Sequence, residues 1–211
     1  MITATQQGVE AGYALLPGVV PDALVYSAVA AFEAGYLASD QWPTPRDPDW
    51  RFAQVDLNPA IQAICRLPAM LDAAGQMIGA PFFLMQVDGR DPMQGNRLQQ
   101  LHRDAEGAAR PFAIAMVFLD DYGPDNGATR LVPGSHCGAS DAEPLVLSGR
   151  AGDVAVMDAN LLHGATTNIS GAPRRSLLVT YADARLRDEL APTEPLRGVR
   201  MDTSEVFAPA Y

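Results

Sequence analysis

The chain contains three histidines, His102, His136 and His163. Two of them stand where a metal ion could be held. His102-Arg103-Asp104 is an H-x-D step. On a β-strand, side chains alternate with period two, so His102 and Asp104 would share one face. His163, arriving from a distant segment, would add a second imidazole. Two imidazoles and one carboxylate on one side of an ion leave coordination positions open. That donor set suits a non-haem Fe(II) oxygenase, and zinc accepts it too. The same parity turns Leu98 and Gln100 toward the metal side, and Gln99, Leu101 and Arg103 away. Gln100 would then be a hydrogen-bonding group for a substrate or cosubstrate. His136 lies in the turn-like Pro133-Gly134-Ser135-His136 and reads as structural or exposed.

Arg174, Arg175 and Ser176 follow His163. A dicarboxylate chelating iron through its 2-oxo acid end needs an anchor for its far carboxylate. A guanidinium fork is suited to that. Strand parity puts Arg174 and Ser176 on one face and Arg175 on the other. Parity alone does not say which face is inward.

These residues need elements to position them. Residues 23–38 have helical apolar spacing after Pro21-Asp22. Residues 39–50, with three prolines between Trp42 and Trp50, read as a loop. Asn58-Pro59 starts a helix running to about Arg66, and another follows Pro68 to about Gly79. From Pro81 the texture becomes all-β. Strands are expected over 82–87, 98–104, 113–119, 128–132, 144–147, 153–157, 163–168 and 175–181. The expected fold is mainly β with flanking N-terminal helices, a cupin-like double-stranded β-helix or jelly roll. One domain is expected over 1–211: a helical part to about 80, a jelly-roll core over 81–184, and an irregular tail over 185–211.

The length of 211 residues suffices for one well-filled core. The formal net charge is −10. Such a chain would be repelled by nucleic acid and by anionic membranes. Cys65 and Cys137 lack metal-ligand spacing, the first residues are polar, and no long apolar run occurs. A cytoplasmic enzyme with free thiols and a small-molecule partner is expected, as monomer or homodimer.

The segments also fall in a familiar order. Gly12 to Val20, His102-Arg103-Asp104, Asp125 to His136, and then Gly152-Asp153 with His163-Gly164, Asn168, Ser170 and Arg174 together resemble the phytanoyl-CoA dioxygenase family of Fe(II)/2-oxoglutarate oxygenases. The resemblance covers about Gly8 to Ala184. It implies that His102, Asp104 and His163 bind Fe(II), and that Arg174, rather than Arg175, holds the cosubstrate's far carboxylate with Ser176. Thr129 and Gln86 would contact the cosubstrate, and Gln100, Arg97 and Trp42 the substrate. Arg90 and Arg110 are further cations that could meet an anionic substrate. It implies that 2-oxoglutarate and O2 are consumed, succinate and CO2 released, and a C–H bond hydroxylated. Desaturation, epoxidation or ring rearrangement are the alternative outcomes. Asp104 fills the place that related halogenases leave open for chloride. The compact interval between Asp104 and His163 and the absence of a CoA phosphate site argue against a CoA thioester. A specialised-metabolite intermediate or an amino-acid derivative is expected instead. Two readings of other classes are a non-catalytic jelly-roll binding module and a zinc-dependent cupin. Conversion of 2-oxoglutarate separates the first, and rescue by Fe(II) but not Zn(II) separates the second.

Overall fold

The computed structural model describes residues 8–108, 111–138 and 140–209. The first strand, β1 (Tyr13–Leu16), leads into α1 (Asp22–Ala34). Two short strands follow, β2 (Tyr36–Leu37) and β3 (Trp50–Ala53), then α2 (Pro59–Ile64) and α3 (Pro68–Ile78). The Asn58 side chain accepts from the Ala60 and Ile61 N–H groups, and Pro59 fills a first-turn position that has no partner for an N–H. α3 begins at Pro68 and ends on Gly79, whose φ is 66°.

The remaining strands are β4 (Phe82–Pro92), β5 (Phe112–Phe118), β6 (Thr129–Leu131), β7 (Leu145–Val146), β8 (Val154–Asp158), β9 (His163–Ala165) and β10 (Ser176–Asp183). A seven-stranded sheet runs β1-β8-β5-β10-β4-β3-β2 and faces a three-stranded sheet β7-β6-β9. Their strand pairs are antiparallel. The architecture is the expected jelly roll with flanking helices.

The large sheet sorts its residues by parity. Ala113, Ala115 and Val117 of β5, and Leu177, Val179 and Tyr181 of β10, join the buried cluster under α1, α2 and α3. Ile114, Met116 and Phe118 of β5 and Leu178 of β10 belong to a second cluster, toward the small sheet. Phe32 of α1 is fully buried and reaches the backbone of Gly89, where an added Cβ would lie 2.5 Å from its ring. Only a glycine permits that approach.

Three sequence expectations change. The 98–104 segment is no strand: its pairing with the small sheet is an isolated bridge, His102 to His163, with a further hydrogen bond from Gln99 N–H to the Ala165 carbonyl at 3.1 Å. Gly164 explains how close it comes, since a Cβ there would stand 3.0 Å from the Gln100 carbonyl oxygen and 3.1 Å from that of Gln99. The proline-rich stretch ends in a real strand, β3, pairing with β4 from Trp50↔Pro92 to Ala53↔Gly89. The tail is fixed in place, with short helices α4 (Arg187–Leu190) and α5 (Glu194–Arg197). Beyond them Phe207 pairs with Phe82 through backbone hydrogen bonds of 2.7 and 3.0 Å. No helix among the described residues is long and apolar enough to cross a membrane.

Candidate metal and cosubstrate site

His163 opens β9, and its backbone exchanges hydrogen bonds of 3.0 and 3.1 Å with that of His102. Asp104 is set by its N–H on the Ala159 carbonyl at 2.9 Å. His102, Asp104 and His163 offer ligand atoms that all lie within 4.8 Å of one another. The Asp104 carboxylate stands 3.4 Å from His102 Nε2 and 3.6 Å from His163 Nε2.

Each imidazole is oriented by its own backbone. His102 Nδ1 lies 2.9 Å from the Gln100 carbonyl, and His163 Nδ1 lies 2.9 Å from that of Leu161. A carbonyl only accepts, so Nδ1 carries a hydrogen, and in the neutral ring Nε2 holds the lone pair that a metal ion would take. This is how metal-binding imidazoles are ordinarily fixed. The hydrogen bond to Asp104 raises the His102 pKa. Burial lowers that of His163. Burial pushes the Asp104 carboxyl up, but His102, His163 and Arg90 outweigh it and hold the group below its usual value. The triad thus combines an anionic carboxylate with imidazole lone pairs, a donor set that fits a divalent ion.

Between His102 and Asp104, the Arg103 side chain points away and bridges three carbonyls. It donates to Ser135 O at 2.6 Å, to Asn160 O, and to Gly138 O at 3.4 Å. The Ser135 hydroxyl in turn accepts from Leu162 N–H at 2.8 Å, one residue before His163. The middle residue of H-x-D therefore ties both ligand segments to the Pro133-Gly134-Ser135 turn. His136 lies outside the cavity, its ring against Gly12.

The cavity over the triad is lined by Met116, Met157 and Leu178 on its apolar side, and by Thr129, Arg90, Arg174 and Ser176 on its polar side. Arg174 is 2% exposed. Its guanidinium sits over the rings of Trp50 and Tyr122, at 5.3 and 4.8 Å, and donates to the Tyr122 hydroxyl at 2.6 Å. Tyr122 is itself stacked on Phe118 at 3.6 Å. The Arg174 backbone N–H donates to Asp91 at 3.0 Å, while its Nε is buried without a partner. A buried guanidinium nitrogen left unpaired is costly, and a carboxylate in this cavity would satisfy it. Arg175 points the other way, into Asp120 and Glu33 at 2.7 and 2.9 Å, which together hold its pKa above the ordinary value.

Ser176 and Thr129 also line this cavity, the former donating to Arg90 O at 3.2 Å and the latter to Met116 Sδ at 3.4 Å. Four other sequence candidates stand elsewhere. Gln86 turns into an adjoining chamber, where its side-chain oxygen accepts from Arg197 at 3.0 Å. Gln99, rather than Gln100, lines the cavity, because the segment is not a strand and does not alternate. The Gln99 side chain accepts from Ala165 N–H at 2.9 Å. Arg97 is an exposed rim residue paired with Asp49 and Asp47. Trp42 is buried against Phe52 at 6.2 Å, beneath Arg46, and holds the loop. Arg110 lies outside the described residues. Trp50 and Tyr122, which frame Arg174, carry no motif; only an aromatic placed beside a buried cation in space reveals them.

Residues 9–176 match the family model for phytanoyl-CoA dioxygenase. Dioxygenase himG of Aspergillus japonicus is 29% identical over 118 residues, covering 46% of this chain and 37% of himG. The chain spans about half or less of the curated relatives it matches. Its fold is similar to that of SnoN, an α-ketoglutarate-dependent epimerase from nogalamycin biosynthesis. The TM-score is 0.71 at 20% identity, covering 96% of this chain and 91% of that one. It is also similar to HygX from Streptomyces hygroscopicus, crystallised with nickel, 2-oxoglutarate and hygromycin B. Here the TM-score is 0.67 at 18% identity, covering 93% of this chain and 94% of that one.

Proposed function

The chain belongs to the phytanoyl-CoA dioxygenase family of Fe(II)/2-oxoglutarate-dependent oxygenases, and from that premise we propose that it hydroxylates an unactivated C–H bond of a small molecule. The observation that carries this reading is one cavity with two unlike ends. At one end stand His102, Asp104 and His163. At the other is Arg174, buried, with an unpartnered Nε. A metal-chelating dicarboxylate has the two functions these ends require.

Fe(II) with 2-oxoglutarate and O2 supplies the oxidising power, and succinate and CO2 are the co-products. The protein's share is binding and exclusion. His102 Nε2, His163 Nε2 and the Asp104 carboxylate would hold the ion and leave its remaining positions free. Arg174 would hold the far carboxylate through charge-assisted hydrogen bonds, with Ser176 and Thr129 beside it. Trp50 and Tyr122 keep the guanidinium in one pose. Met116, Met157 and Leu178 keep water from the reacting centre. The carboxylate of Asp104 would occupy a ligand position, which disfavours halide transfer.

A second reading keeps the cofactors and changes the outcome. SnoN is an epimerase on the same fold, which supports considering oxidation without oxygen insertion. A specialised-metabolite intermediate or an amino-acid derivative is the favoured substrate class. The test is succinate release from Fe(II), 2-oxoglutarate and a metabolite panel, followed by mass spectrometry for the gain of one oxygen atom. His102→Ala should abolish succinate formation, and unchanged turnover would defeat the assignment. Activity restored by Zn(II) as well as by Fe(II) would point to another class of cupin.

A further inference from the structure

The inner face of the large sheet is a ladder whose rungs are fixed by register. Ser176 stands between Phe118 of β5 and Arg90 of β4, Leu178 between Met116 and Asp88, and Thr180 between Ile114 and Gln86. Successive rungs are about 6.6 Å apart. The cavity holding the triad and Arg174 covers the first two rungs. A second chamber covers the last two, with Gln86, Phe112, Ile114 and Thr180 in its wall. Arg90, Asp104 and Leu178 wall both, so the second chamber continues the cavity away from Arg174.

Arg90 is the cation at that junction. Its Nε donates to Asp88 at 3.1 Å. Among the described residues, its two terminal nitrogens have no hydrogen-bond partner. Arg51 of β3 and Arg175, just before β10, each engage two carboxylates. Asp88 and, across the junction, Asp104 offset part of the Arg90 charge, and the open terminal nitrogens can still take a further anion. The cosubstrate's two carboxylates are already assigned, one to the metal and one to Arg174.

We propose that Arg90 anchors an anionic group of the substrate, a carboxylate, phosphate or sulfate, whose apolar part occupies the second chamber. This rests on the oxygenase reading above. Phe112, Ile114 and Leu178 supply the apolar wall. Gln86 is held by Arg197 through its side-chain oxygen, which leaves its N–H groups, with the Thr180 hydroxyl, to meet acceptors on the substrate. The anion sits at the junction of the two chambers, next to the metal, which brings the bonds beside it to the reacting centre.

The test uses the full chain loaded with Ni(II) and 2-oxoglutarate. The probes are small aryl and alkyl carboxylates, phosphates and sulfates, each paired with a neutral amide or alcohol of the same shape. Binding is read by ligand-detected NMR, and thermal melting checks that each variant is folded. The acids should bind more tightly than their neutral counterparts by about tenfold or more. The headgroup that binds best identifies the source of the anion. Arg90→Gln should erase the preference and Arg90→Lys should keep part of it, with 2-oxoglutarate affinity held within a factor of about three. Neutral counterparts that bind equally well, no acid that binds, or acid binding that survives Arg90→Gln would each overturn the proposal. If Arg90→Gln also loses 2-oxoglutarate, Arg90 serves the cosubstrate, and this proposal falls while the oxygenase reading stands. A wild-type chain that takes up no 2-oxoglutarate with Ni(II) would sink both.

Discussion

The two faces of the large sheet are built from the same strands and do opposite work. The outer face presents Ala113, Ala115, Val117, Leu177, Val179 and Tyr181 to the helices, an apolar layer sealed from water. The inner face, one residue out of phase, presents Ile114, Met116, Ser176, Leu178 and Thr180 from β5 and β10, with Gln86 and Arg90 from β4. Methionines, hydroxyls and charges there leave space and polar groups unmet, which is costly to a core and useful to a binding site. Because the phase is two, the protein can change one face without moving the other. The outer face is wholly core, while the inner face shares its residues between a second buried cluster and the cavity.

Substitutions can test that separation. The largest effect is expected from His163→Ala or Asp104→Ala, which should remove metal binding and succinate formation while leaving the melting temperature of the apoprotein close to wild type. A large fall in the melting temperature would mean that the triad is part of the structural core. Next comes Phe32→Ala on the outer side, expected to cost about 3–5 kcal/mol in urea unfolding. Enzyme that remains folded should keep its kcat. Arg174→Gln should raise the KM for 2-oxoglutarate by about two orders of magnitude, with kcat at saturation less affected. Equal loss in both would make Arg174 more than an anchor. Arg103→Met should weaken metal affinity by about tenfold, measured with Ni(II), because the carbonyls it bridges position both ligand segments.

A further effect concerns the outer face at high pH. Burial pushes the Cys65 thiol up to about 12, whereas an unfolded thiol titrates near about 8.5. Below that value both states keep the proton and stability is unaffected. Above it the unfolded state loses its proton first, so stability falls as pH rises, by roughly 2 kcal/mol at pH 10 from this group. Urea titrations at pH 8 and pH 10 should show the loss, and Cys65→Ala should flatten it. The same slope in the variant would assign the alkaline sensitivity to another group, such as the buried Tyr181 hydroxyl bonded to Cys65 O at 2.7 Å.

Much of this site was legible in the sequence because its chemistry is carried by rare residue types. Two of only three histidines and one H-x-D step pick out the three donors that the structure brings within 4.8 Å of one another. Adjacent Arg174 and Arg175 could be separated into opposite faces by parity, and β10 begins just after them. The family resemblance, carried by the order of these segments, assigned roles that the residues alone left open. Parity gave Gln100 instead of Gln99 because it presumed a strand where the chain meets β9 at an isolated bridge and at Gln99 without forming a regular ladder. Gln86 faces the adjoining chamber, with a tail arginine as its partner. Trp42 and Trp50 look alike in a proline-rich stretch. Only pairing of β3 with β4 sends one into the loop's core and the other over Arg174.

The sequence by itself therefore determined the donor atoms, the alternation that splits each core strand into two faces, and the helix boundaries marked by Asn58, Pro59, Pro68 and Gly79. These are local properties, set by side-chain chemistry and by backbone preferences over a few residues. The tertiary structure alone decided which arginine is buried with an unpartnered guanidinium nitrogen, which aromatic rings frame it, and that Arg90 stands where two cavities join. Those facts depend on strands far apart in the chain lying side by side, and no local pattern encodes which residue of a neighbouring strand will be opposite.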